Sequence, residues 1–257
     1  MRRLHWLALT GAGVFAASAG LPACGVSDGA APGEQAVSGS KQALQSLQAA
    51  FPSAKVESKQ GRVTRVYGAL LSTGATAAEA AERFRLDHAS AFGAAAAELV
   101  PQELVDGRAI NAATPKPLGV MFDRKTGQYK FWLFRYGQVR SGTPVFRSSL
   151  LALVKNEPNN PVVWASSTLH DLAAFSAVAP IRTALPDATK TLAAVRAGSD
   201  FNGRVLTAPA RVLGTSAPEL TIFAGKEGAD APPRLAIDYV AQTDGGGKFR
   251  VLADAAR

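Results

Sequence analysis

The chain has 257 residues, 47% of them apolar, with 28 Lys and Arg against 20 Asp and Glu and a formal charge of +8. The basic excess is spread over segments of mixed sign, which suits solubility or an anionic surface and leaves no nucleic-acid footprint. A single cysteine excludes an internal disulfide.

Met1-Arg2-Arg3 opens the chain, and an apolar run from Leu4 to Gly20 follows, interrupted by Gly11, Gly13 and Ser18. A basic start, a short apolar core and small residues at its end read as a secretory signal peptide. The run is shorter and less oily than the roughly 20 apolar residues of a spanning helix. Leu21-Pro22-Ala23-Cys24-Gly25 is similar to a bacterial lipobox, in which the cysteine is acylated and becomes the new N-terminus. Cys24 is therefore the expected lipidation site, with cleavage after Ala19 or Ala23 and a free thiol as the alternative. Arg2-Arg3 also permits a twin-arginine signal. Residues 1–23 are assigned to the signal and 24–40, rich in Gly, Ala, Ser and Pro, to a flexible tether. The mature chain keeps 26 of the 28 basic residues and all 20 acids, a formal charge of about +6.

Ser40 to Phe51 places Leu44, Leu47 and Phe51 at helical spacing, and Pro52 ends the segment. Arg62 to Leu70 reads as a strand. Thr76-Ala77-Ala78-Glu79 is a capping box; the helix it opens is expected to run to about Phe92 and stop at Gly93, with Ala77, Ala81, Phe84 and His88 on one face. From Gly119 the period changes to that of strands. Val120 to Asp123, a tight turn at Arg124-Lys125-Thr126-Gly127 and Tyr129 to Val139 read as a hairpin. Pro144 to Val154 and Val162 to Leu169 are further strands around an Asn-Pro turn. Pro180 to Pro186 reads as a joint, Asp187 to Ala197 as a second helix, and Arg204 to Leu213, Leu220 to Phe223, Leu235 to Gln242 and Lys248 to Ala253 as strands. The plan is α+β: two related units in tandem, each a helix packed on an antiparallel sheet.

Catalytic patterns are missing. A zinc protease of the exported class uses two histidines at i and i+4 with a glutamate between them. This chain has His5, which leaves with the signal, and His88 and His170, isolated in sequence. His88 reads as a packed residue and His170 as a turn residue at a strand end. No G-x-S-x-G elbow occurs. Gly225-Lys226-Glu227-Gly228 and Gly245-Gly246-Gly247 read as turns, and no pair of carboxylates stands out. The expectation is a non-enzyme without cofactor or metal.

Arg135-Tyr136-Gly137-Gln138-Val139-Arg140-Ser141-Gly142-Thr143-Pro144-Val145-Phe146 resembles the Q-x-x-x-G-x-P-V-F hairpin of the FTP domain, the fungalysin and thermolysin propeptide module. Gln138, Gly142, Pro144, Val145 and Phe146 carry the match. Gly142 serves the turn, and Pro144 begins the next strand where its missing amide costs least. Arg65-Val66-Tyr67-Gly68 and the helix ending at Phe92-Gly93 are in keeping with that module. The segment from Asp187, with Leu220 to Phe223, Arg234 to Val240 and Phe249 to Ala255, is similar to a PepSY domain. The resemblance implies an FTP-like domain over 41–179 and a PepSY-like domain over 180–257, both cystatin-like, and covers roughly residues 60 to 255.

In that family the pro-region assists folding of a zinc metalloprotease and blocks its cleft. Asp254-Ala255 corresponds to a pair usually followed by a Gly-containing turn and the catalytic domain; two residues follow it here. The resemblance implies an exported lipoprotein of the cell envelope that binds a zinc metalloprotease in trans, as inhibitor or folding helper. A truncated or detached pro-region and a cell-surface adapter are the alternatives. An open sheet edge near the hairpin is the expected docking strip.

Overall fold

The computed structural model describes residues 32–105, 108–173, 175, 212–226, 229–243 and 248–255, and all of them fall in one compact unit, Ala31–Arg257. Among the described residues two α-helices, α1 (Pro32–Ala50) and α2 (Ala77–His88), accompany twelve strands. These are β1 (Lys55–Lys59), β2 (Arg62–Ser72), β3 (Leu99–Val105), β4 (Arg108–Asn111), β5 (Leu118–Asp123) and β6 (Gln128–Arg140). They continue with β7 (Thr143–Lys155), β8 (Val162–Ser167), β9 (Val212–Thr215), β10 (Glu219–Lys226), β11 (Ala229–Thr243) and β12 (Lys248–Asp254). The described chain is thus α+β, dominated by antiparallel sheet. The segments read as the joint and the second helix, 180–197, lie outside the described residues, as do the signal, Cys24 and most of the strand expected over 204–213.

α1 starts at Pro32 rather than Ser40, so it takes in the second half of the stretch read as a flexible tether. Proline at a first helical position loses no hydrogen bond. Glycines at 33 and 39 and serines at 38 and 40 hid this in the sequence. The C-terminal half of the helix turns Leu47 into the core, and the Phe51 amide closes the last turn on the Leu47 carbonyl at 3.0 Å.

α2 follows its capping signal. The Thr76 hydroxyl accepts from the Glu79 amide at 3.1 Å, while the Glu79 carboxylate reaches back to the Ala75 amide at 3.0 Å, one residue earlier than in the standard box. The α-helix ends at His88 and tightens to a 3-10 turn over Ala89–Phe92, closed by Gly93 in the left-handed region at φ 87°. Ala80, Ala81 and Phe84 are buried against Val66 of β2, Phe134 of β6, Leu150, Ala152 and Val154 of β7, and Val162 and Ala165 of β8. His88 stands between the rings of Phe51 and Phe84, at centroid distances of 5.2 and 5.3 Å.

The main strand order is β1-β2-β8-β7-β10-β11-β12, with β6 also paired to β7. β3 and β5 share the edge of β6 opposite β7: β5 pairs with its first half and β3 with Arg135 to Gln138. β1, β3 and β4 were not expected from the sequence. Among the described pairings, β7 with β10 is the parallel one, through Val145 and Ile222. Two apolar cores result. The first lies under α2. The second gathers Val145, Leu172, Ile222, Ala224, Leu235, Ile237, Tyr239 and Val251.

Candidate functional site

The hairpin from Gln138 to Phe146 is the junction of the two cores. Arg140 pairs with Thr143, which leaves Ser141 and Gly142 as a two-residue loop with φ of 50° and 79°. Positive φ at both positions is a type I′ turn, whose twist matches that of the strands it joins. β7 begins at Thr143. Pro144 pairs with Val139, and its carbonyl accepts from the Thr221 hydroxyl of β10 at 3.0 Å.

Beyond Pro144 the ladder breaks. Gly137 pairs with Ser149 and Val139 with Pro144, so residues 145–148 of β7 oppose only Gln138 and have no partners on β6. This is an extended bulge, with Arg147 in the left-handed region at φ 52°. It turns Val145 into the second core and sets Phe146 against Phe223, with ring centroids 6.3 Å apart. The Arg250 guanidinium lies 4.9 Å from the Phe146 ring centre and binds Asp238 through Nε at 2.8 and 3.0 Å. That carboxylate raises the Arg250 pKa above its usual value through the hydrogen bond.

Gln138 sits at the centre of the bulge with 1% of its surface exposed. Its Nε2 donates to the His170 carbonyl at 2.8 Å, and its Oε1 accepts from the His170 amide at 3.0 Å and the Ser148 hydroxyl at 2.5 Å. A buried amide side chain is tolerated when its groups find such partners. Here it ties the bulge, through the Ser148 hydroxyl, to the backbone of the segment after β8. The five signature positions therefore lie together. Gln138, Val145 and Phe146 are buried, and the turn and Pro144 are more open.

Gln138 also fixes His170, which borders a cavity of about 240 Å³ lined by Glu57, Lys59, Arg62, Arg65, Ser166 to Leu169 and Asp230. His170 Nδ1 is 3.0 Å from Asp230 Oδ1, and Arg62 forms an ion pair with the other Asp230 oxygen. Arg62 also donates to the Leu169 carbonyl at 2.9 Å. His170 is thus more than a turn residue: it belongs to a clasp joining β2, the segment after β8 and β11. The sequence held no local signal for it, since Asp230 lies 60 residues away.

An aspartate-held histidine in a cavity has the makings of a general base, but two of the hydroxyls that line the cavity with it are already bonded to backbone groups. Ser167 Oγ accepts from the Leu169 amide at 3.1 Å, and Thr168 Oγ1 bonds to Arg147 and Ser149 of the β7 backbone. Among the described residues, no group of three or more His, Cys, Asp or Glu side chains is placed to hold a metal ion. No helix of the described residues is long and apolar enough to cross a membrane. Compared with the known protein families and with curated proteins, the chain matches none of either.

Proposed function

We propose that this chain is a non-catalytic, exported lipoprotein that binds a zinc metalloprotease in trans, in the manner of a propeptide. The observation that carries the reading is the signature hairpin. Gln138, Gly142, Val145 and Phe146 each occupy a position whose backbone or burial suits that residue type, with Pro144 in the ladder just after the turn, beside a capped helix laid on an antiparallel sheet. The commitment of Ser167 and Thr168 to backbone partners supports a binding role over a hydrolytic one. Acylation at Cys24 would tether the domain to the cell envelope.

The reading divides the chain into an FTP-like unit over 41–179 and a PepSY-like unit over 180–257. Two separate cores support that division. Val145 and Leu172 precede the border yet pack in the second core, which ties the units together. The test is to add the purified chain to exported zinc proteases of the thermolysin type, including those of its own host. Peptide hydrolysis and the yield of active protease after refolding are then followed. A fall in hydrolysis or a rise in refolding yield is expected with at least one host protease. No effect on any of them would overturn the reading.

A further inference from the structure

Seven of the ten large apolar side chains exposed among the described residues lie on β3, β4, β5 and the start of β6: Leu104, Val105, Ile110, Leu118, Met121, Phe122 and Tyr129. Met121 and Phe122, adjacent in β5, are 62% and 55% exposed. Alternation would have buried one of them, but Met121 takes φ 58° and interrupts it. The Phe122 ring meets Tyr129 at 5.2 Å, Tyr129 meets Trp132 at 5.5 Å, and the Tyr129 ring covers Gly119 so closely that a Cβ there would approach it to 2.5 Å. This aromatic row is held in place while its outer end stays in water.

The charge on the same hairpin is predominantly positive. Residues 116–130 carry Lys116, Arg124, Lys125 and Lys130 against Asp123 alone. All four cations are exposed. Lys116 pairs with Glu103, and Lys130 is only loosely paired, 3.7 Å from Asp123. Arg124 and Lys125 project from the turn, which is closed by the Asp123 carboxylate on the Lys125 amide at 2.9 Å and by Gly127 at φ 69°.

We infer that the β5–β6 hairpin docks on an anionic phospholipid surface. Exposed aromatic and aliphatic side chains rimmed by Lys and Arg match the acyl boundary and the charged headgroups. A second strand is the other natural occupant of an edge. It fits poorly here, because Met121 is left-handed and Pro117, just before the strand, has no amide to donate. The inference rests neither on the protease reading nor on acylation.

The test uses the full chain with Cys24→Ser, so that Met121→Cys can carry a polarity-sensitive fluorophore, and a second protein labelled at Leu86→Cys on the exposed face of α2. Vesicles of phosphatidylcholine with and without phosphatidylglycerol are added. The label at 121 is expected to shift to the blue with the anionic vesicles, to revert at high salt, and to have no counterpart at 86. Arg124→Gln with Lys125→Gln should weaken vesicle binding by about 10- to 30-fold. No shift at 121, or an equal shift at both positions, would overturn the inference. A shift that grows with protein concentration in the absence of vesicles would overturn it in favour of a second copy of the chain.

Discussion

Gly142 occupies the second position of a type I′ turn at φ 79°, and a Cβ there would touch nothing within 4 Å. Its requirement is therefore conformational, with no steric part. Gly142→Val should destabilise the fold by about 1–3 kcal/mol through left-handed strain, while Gly142→Asn should cost less because asparagine tolerates that region. Urea denaturation of the two variants checks this, and equal stabilities would contradict the turn assignment. His88 offers a pH test. Burial between Phe51 and Phe84 lowers its pKa below the ordinary 6.5, with Asp87 acting weakly the other way. Between the lowered value and 6.5 the unfolded chain binds more protons than the folded one, so stability rises with pH there. The contribution is whole above about 6.5 and is lost as pH falls through the folded value. His88→Gln should flatten this part of the stability profile between pH 7.5 and 5; an unchanged slope would contradict it.

At the scale of elements, Gln138 links β6, the bulge of β7 and the segment after β8. Gln138→Leu leaves the His170 amide and carbonyl and the Ser148 hydroxyl without this partner, and should cost on the order of 3 kcal/mol. A loss below about 0.5 kcal/mol in denaturation would show that the amide is dispensable. The elements were legible where local chemistry specifies them. Thr76, Glu79 and Gly93 marked the ends of α2 and its 3-10 extension, and runs of strand-forming residues around turn residues marked β5, β6 and β7. β1 was hidden because Lys55-Val-Glu-Ser-Lys59 is a polar edge strand in which all but Val56 are exposed. β3 was hidden by Pro101 and Glu103, and it pairs with a strand more than 30 residues later. The bulge at 145–148 and the Arg62–Asp230–His170 clasp depend on contacts distant in sequence, which no local pattern records.

At the scale of the whole molecule, one sheet runs through both cores. Pairing is passed from β6 to β10 at Val145, so the signature hairpin joins the two cores instead of projecting from them. Of the buried signature side chains, Gln138 reaches the cavity beside Asp230, through the His170 backbone. The envelope reading has its own check. The product isolated from host membranes should begin at Cys24 and carry acyl groups by intact mass; an N-terminus at Gly20, or an unmodified thiol, would contradict lipidation.

The central claim is action on a protease in trans, and its most direct test is complex formation between separately purified partners. Size-exclusion chromatography of this chain with the exported thermolysin-type proteases of its host should yield a stoichiometric complex with at least one of them. Elution of every protease apart from the chain, at concentrations well above those in the envelope, would contradict the account.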